Sequence, residues 1–317
     1  MSVVDELGTI CTHVDISGFG LRDCVVLGHR FEYERPRTPQ AMESWVIWST
    51  LDAAGGSAIH YLFGHAGWLS GVWVTADRTL HVTDLEGALY VQPLASCSGT
   101  AWTPTMTFPE RTYLHGIWGL GDDELFIWAS DRQSAFVLRG SGTSWQRQPG
   151  PPFEIAVLRG SSPVHLIAGG TTGELARWDG STWTVLPFEG GAAVTGIAVQ
   201  DEDRFWVTIQ SGSLFEGSAG GVIGRAETPG GAPLADVTVW HGDVWLAAEE
   251  LGLMRLVPRT DQLEMVKPNI PVYRFDARQD LVMCCPAMIA ATADGAVYHG
   301  GLVEAFAKAF EGIPPCW

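Results

Sequence analysis

Short apolar runs recur along the whole chain, each a few residues long, with Gly, Asp, Ser and Pro confined to the gaps between them. Residues 23–28, 44–48, 126–130, 166–168, 204–209 and 243–247 are rich in Val, Ile, Trp and Phe and too short for a packed helix, so they predict β-strands. Turn signals separate them. Gly121-Asp122-Asp123-Glu124, Ser161-Ser162-Pro163, Asp201-Glu202-Asp203 and His241-Gly242-Asp243 join a first strand to a second. Gly170-Thr171-Thr172-Gly173, Ser211-Gly212-Ser213 and Ala293-Asp294-Gly295 are read as turns from a second strand to a third.

The runs repeat at a period of about 40 residues. Ser98-Gly99-Thr100-Ala101-Trp102, Ser141-Gly142-Thr143-Ser144-Trp145 and Asp179-Gly180-Ser181-Thr182-Trp183 each set a small polar turn before a Trp. The same register reaches Ile59 upstream and Val222, Leu263 and Leu302 downstream, giving seven units. Two other series keep step with it: Ile117, Val157, Ile197, Val237 and Val282 for first strands, and Phe126, Leu166, Trp206, Trp245 and Ile289 for second strands. In both series the last step is longer than the others.

Four short strands per unit define a blade, which buries both faces only by stacking radially on its neighbours. The expected fold is all-β, a single seven-bladed β-propeller domain of four antiparallel strands per blade. Its blades are expected near 12–63, 69–106, 114–149, 155–187, 194–228, 235–268 and 280–310. Residues 304–311 are read either as a helix or as the last outer strand, with Val3 and Val4 completing closure. Blade 1 carries an apparent insertion, Arg30 to Glu43, and long loops in a compact repeat are often functional.

The turn Asp179-Gly180-Ser181-Thr182-Trp183 resembles the Gly-x-x-Trp turns of bacterial β-propellers with degenerate Asp-box-like repeats, and the resemblance covers most of the chain. It implies a fold and not a reaction. Arg177 stands where the full Asp-box has Ser, and Trp178-Asp179 is the sole Trp-Asp pair, so the sequence looks least like a WD40 protein.

Charge changes the picture. The 317 residues include 36 acidic and 19 basic side chains, for a net charge of -17. This disfavours nucleic-acid binding through a general positive field. No apolar run approaches the ~18 residues of a spanning helix, so no membrane is expected. The six cysteines, two of them adjacent, do not form a disulfide framework, and together with a start lacking an export signal they point to the cytoplasm.

Standard catalytic and nucleotide-binding motifs do not occur, so neither an enzyme nor a cofactor is expected. His13, His115 and His241 fall at ends of inner strands; separate hydrogen-bonded imidazoles are favoured there over a metal site, because no spacing supports ligation. The Trp series is read as core rather than as a sugar-stacking set.

The expected binding face carries the blade-to-blade connections and the second-to-third hairpins. Phe108 with Glu110, Phe153 with Glu154, and Phe188 with Glu189 repeat on consecutive connections, and Glu249 and Glu250 belong to the same ends. Phe31, Tyr33, Arg35 and Arg37 of the insertion project there too. Glu beside Phe at exposed loops suits a polar rim around an apolar hot spot. The expected function is non-catalytic binding of a basic protein partner, as an antitoxin or immunity-type protein or as an assembly scaffold. The alternative is a carbohydrate-binding or glycoside-hydrolysing propeller, which requires Trp, His and carboxylates gathered in an accessible pocket.

Overall fold

In blade 1 the second strand, Asp23–Glu32, is buried almost throughout, and its period-two geometry explains why the apolar run is continuous. Val25 and Leu27 face Val72, Leu80 and Val82 of one neighbouring sheet. Cys24 and Val26 face Val282, Cys284 and Ile289 of another. A strand sandwiched between two sheets has no solvent side, so both parities are apolar.

The computed structural model describes residues 3–4, 9–32, 38–51, 57–97, 102–286 and 288–302. They form seven sheets, at 3–66, 69–107, 113–149, 155–185, 194–227, 236–267 and 274–302. Strands pair in chain order within every sheet, the up-and-down pattern of a seven-bladed β-propeller with four antiparallel strands per blade. Blade 1 adds a fifth strand, Val3–Val4, paired with its own first strand, Thr9–Gly20 (Val3 opposite Cys11). Val3 and Val4 therefore do not complete the last blade; residues 304–311 lie outside the described residues.

The forty-residue register places Ile59, Trp145, Trp183, Val222, Leu263 and Leu302 on fourth strands. Blade 2 departs from it: its fourth strand is only Met106–Thr107, and Trp102 precedes it to stack on Phe63 at 4.7 Å. Blade 7 corrects the other two series. Its first strand is Arg274–Ala277, so Val282 sits on the second strand and Ile289 on the third. The turn Ala293-Asp294-Gly295 accordingly joins the third strand to the fourth. The short first strand, Arg-Phe-Asp-Ala, is outweighed in the sequence by the apolar run Leu281–Cys285.

The insertion is shorter than it looks in the sequence. Arg30 and Glu43 are directly opposite each other on the second and third strands of blade 1 and form an ion pair at 3.6 Å. What remains is 33–42, of which 38–42 holds a single 3-10 turn at Pro39–Ala41.

The chain packs as two compact units, residues 1–117 with 276–317, and residues 118–275. In each, first strands are tied to the next by side chains. In the first unit Asp15 Oδ2 accepts the Val72 N–H at 3.0 Å, and Ser17 Oγ accepts that of Val74 at 2.9 Å. In the second, Asp236 Oδ2 accepts the Phe275 N–H at 3.0 Å, and Thr195 Oγ1 donates to Leu234 O at 2.6 Å. Register shifts at Ser70, Ala156 and Thr195 put a one-residue bulge in the first strands of blades 2, 4 and 5.

Candidate functional site

Turns of an antiparallel sheet alternate between its two ends, so second-to-third hairpins and the connections leaving each blade share one end of it. They are packed tightly. Gly87, Gly173, Gly212 and Gly252 occupy the same place in four hairpins, with φ from +88° to +106°. A Cβ at these positions would come within 2.8 Å of Thr112 O, 2.7 Å of Ala192 O and 2.4 Å of Ala232 O, on the connections leaving those blades, and within 2.1 Å of Lys267 O, at the end of the fourth strand of blade 6. Backbone hydrogen bonds complete the junctions: Phe108 N–H to Gly87 O at 2.9 Å, and Thr228 N–H to Gly212 O at 2.9 Å. Within each of these sheets the hairpin end is thus stiff, and the chain leaving that sheet lies on it.

On these connections the three Phe rings are half-buried and the neighbouring carboxylates exposed. Phe153 packs against the buried cluster that includes Trp128 and Leu158, and the carbonyl of its neighbour Glu154 accepts the Thr171 N–H at 3.3 Å. Phe188 meets Phe215 edge-on at 4.9 Å, with Glu189 exposed beside it. Phe108 is half-buried and Glu110 exposed. Glu249 adopts φ +47° and bridges to Val272, and burial, then the charge of Glu250, raises its carboxyl above the usual range. Glu250 is exposed and accepts a hydrogen bond from the Tyr273 hydroxyl at 3.3 Å.

Phe31 is placed differently from the expectation. Its ring is buried among Ile10, Met42 and Trp68, because it belongs to the second strand of blade 1 and not to a loop. Tyr33, Arg35 and Arg37 lie outside the described residues.

The arginines are largely committed elsewhere. Arg139 pairs with Glu124, Arg147 with Asp131, Arg225 with Glu216 and Asp261, and Arg255 with Asp243 and Glu264. Among the described residues no cation is paired with Glu110, Glu154 or Glu189.

The histidines and cysteines are dispersed. His13 is buried with Nδ1 2.9 Å from Cys285 O, and burial lowers its pKa to about 4. His241 is exposed and stacks on Trp240 at 3.9 Å. Cys284 and Cys285 are both buried free thiols, and burial pushes that of Cys285 up to about 12. Among the described residues no three His, Cys, Asp or Glu side chains are gathered to hold a metal ion, and no helix is long and apolar enough to cross a membrane.

One cavity, of about 980 Å³, was not foreseen. It opens in the first unit beside the first-to-second turns of blades 1, 2 and 7, and it is lined by Phe19, Asp23, Trp48, His60, Arg78 and Asp280 among others. Arg78, at φ +67°, bonds Asp23 at 2.5 Å and lies 4.3 Å from the centroid of Phe19. Thr50 Oγ1 and His60 Nε2 share a hydrogen bond at 3.0 Å, and the His60 ring is tilted against Trp48 at 5.7 Å. These residues come from parts of the chain more than 200 positions apart, and no local spacing announces them.

No family model matches the sequence, and no curated protein matches it. Solved structures do match in fold. The WD40 propeller domain of Doa1 superposes with a TM-score of 0.68 at 12% identity, covering 86% of this chain and 90% of that one. U3-55K gives 0.59 at 14% identity over 86% and 88%. Virginiamycin B lyase from Staphylococcus aureus gives 0.58 at 12% over 74% and 84%. WD40 domains are thus among its structural neighbours although the Trp-Asp pair does not recur. At such identities the likeness is one of architecture, and the architecture is the β-propeller.

Proposed function

We propose that this chain is a non-catalytic, protein-binding propeller that receives a basic partner on its hairpin and connection ends. The observation that carries the reading is the repeated pair of a half-buried Phe and an exposed, unpaired Glu at Phe153-Glu154 and Phe188-Glu189, resting on hairpins fixed by left-handed glycines. Glu249 and Glu250 add charge to the same ends of the second unit. A stiff platform loses little entropy on docking, and the unpaired carboxylates of a chain at net charge -17 steer a cation toward it. Neutralising a basic toxin, as an antitoxin or immunity-type protein does, is one form of this activity; holding a basic subunit within an assembly is the other. The cytoplasm is the proposed compartment, in keeping with the absence of a disulfide among the five cysteines of the described residues. The neighbouring folds include a lyase and WD40 domains, so architecture does not choose the function and the surface must.

The test is quantitative capture from the native host with the wild-type chain and with Glu154→Lys/Glu189→Lys. A basic protein retained by the wild type and lost from the variant, with slower association and a weaker salt dependence, is the expected result. Capture of the same proteins in equal amount by both forms rules out these connections as the interface.

A further inference from the structure

The chain holds guanidinium groups in one recurring way, between a carboxylate and an aromatic ring. In blade 3 Arg147 donates to Asp131 Oδ2 at 2.7 Å and lies 3.7 Å from the centroid of Phe136. In blade 6 Arg255 donates to Glu264 at 2.9 Å and lies 5.6 Å from the centroid of Trp245. Arg78 is held in the same way by Asp23 and Phe19. The ring face attracts the cation and the carboxylate pairs with it, so the two together hold a planar guanidinium better than either does alone.

The second-to-third hairpin of blade 4 sets a ring and a carboxylate together once more. They meet over Gly170, the last residue of the second strand His165–Gly170. A Cβ there would collide with Glu174 Oε2 and lie 2.9 Å from Phe153 Cδ2, so the absent side chain is what lets the two close over the strand end. The carboxylate is already aimed. Glu174 Oε2 accepts the Thr172 N–H at 3.1 Å and Oε1 the Thr172 hydroxyl at 2.5 Å, which leaves each oxygen a second lone pair. Burial raises the Glu174 carboxyl, and these hydrogen bonds more than offset it, holding its pKa below the ordinary value. Asp131 behaves alike in blade 3: Oδ1 accepts the N–H groups of Gln133 and Ser134, and Oδ2 is left for Arg147. The bond from the Thr171 N–H to its carbonyl brings Glu154 alongside the same hairpin, with its side chain exposed. Among the described residues no cation pairs with Glu154 or Glu174, and none lies over the Phe153 ring.

Resting on the protein-binding reading above, we infer that Phe153, Glu154 and Glu174 receive an arginine side chain of the partner, and take it in preference to lysine. A guanidinium is flat, so it lies on the ring while its edge N–H groups reach the carboxylates; an ammonium is a compact, strongly hydrated charge with no plane to stack. The blade 5 hairpin next to Phe188 has Ser213 in the place of Glu174, so Phe188 and Glu189 do not complete the arrangement.

The test is nuclear magnetic resonance titration of the full chain with acetyl-Gly-Arg-Gly-amide and with acetyl-Gly-Lys-Gly-amide, read at the backbone amides of Thr171, Thr172 and Glu174. Saturable shifts at these amides are expected with the arginine peptide, and an affinity about 3-fold or more lower for the lysine peptide. Phe153→Leu keeps the apolar bulk and Glu174→Gln keeps an acceptor for Thr172. Each should weaken the arginine peptide about 3-fold or more, as the loss of one ring–cation contact or one ion pair at a surface does. Thermal unfolding checks that the variants fold. Equal affinity for the two peptides, shifts spread without preference over other acidic turns, or unchanged affinity in the folded variants overturns the inference. The peptides read this hairpin alone, whereas capture reads the whole face. A partner captured equally by wild type and Glu174→Gln, yet lost from Glu154→Lys/Glu189→Lys, overturns the arginine site and leaves the protein-binding reading standing.

Discussion

Asp276 accepts the backbone N–H of Gly18, 258 positions earlier in the chain, at 2.8 Å, while its carboxylate also holds Arg278 at 3.0 Å. One buried side chain in blade 7 thus satisfies both the first strand of blade 1 and a cation whose Nη1 donates to Val74 O and whose Nη2 donates also to Ser17 Oγ. Removing it leaves a buried guanidinium and an unpaired amide together. Asp276→Ala is expected to cost about 3–5 kcal/mol, and Asp276→Asn less, because the amide oxygen can still accept from Gly18. Urea denaturation of the two variants measures this; equal losses would show that the charge alone matters.

Trp206 is buried in the second strand of blade 5, with its indole N–H donating to Gln200 Oε1 at 3.3 Å. Trp206→Ala should destabilise by about 3–5 kcal/mol through the cavity it leaves. Trp183, on an outer strand and partly exposed, should cost far less when truncated, so the pair calibrates how steeply packing rises toward the blade interior.

Gly173 and Gly142 both adopt positive φ, yet only the first is overhung by a neighbour, Ala192 O. Gly142→Ala should cost only the left-handed strain, about 1 kcal/mol. Gly173→Ala adds displacement of the connection and should lose about 1–3 kcal/mol. A difference near zero in thermal unfolding would mean that the connection yields freely.

His13 should make folding sensitive to mild acid. Burial lowers its pKa from the ordinary 6.5 to about 4. The unfolded chain therefore binds a proton between those values that the folded chain refuses. Stability is full above pH about 6.5 and falls on acidification toward pH 4, by about 3 kcal/mol from this residue. His13→Gln lacks the titration, and unfolding free energies at pH 7, 5.5 and 4.5 should converge with those of wild type as the pH drops.

Particular residues show what could be read from the sequence. A strict step of forty residues from Val237 would have landed on Ala277, which is on the first strand of blade 7, while the chosen Val282 belongs to the second. The louder apolar run won because Phe275 is the single large apolar side chain of Arg274–Ala277. Phe31 reads as a loop residue for a related reason: Arg30, Glu32, Tyr33 and Glu34 around it are polar, and only its pairing with Ile10 of the first strand shows that Phe31 turns inward. The Phe-Glu connections were visible because the repeat displays them three times. The cavity was not, since it draws Arg78 from a turn, His60 from an outer strand and Asp280 from the far end of the chain, and each of these occurs once.

The side-chain acceptors on first strands also decide which amides report on the parting of blades. The N–H groups of Val72, Val74 and Gly18 in the first unit, and of Phe275 in the second, are bound by Ser or Asp of an adjacent blade rather than by a strand of their own. Fraying of an outer strand leaves them covered, and only movement of one sheet away from the next uncovers them. Their hydrogen-exchange rates therefore read a single kind of fluctuation, the separation of neighbouring blades, residue by residue along the inner edge.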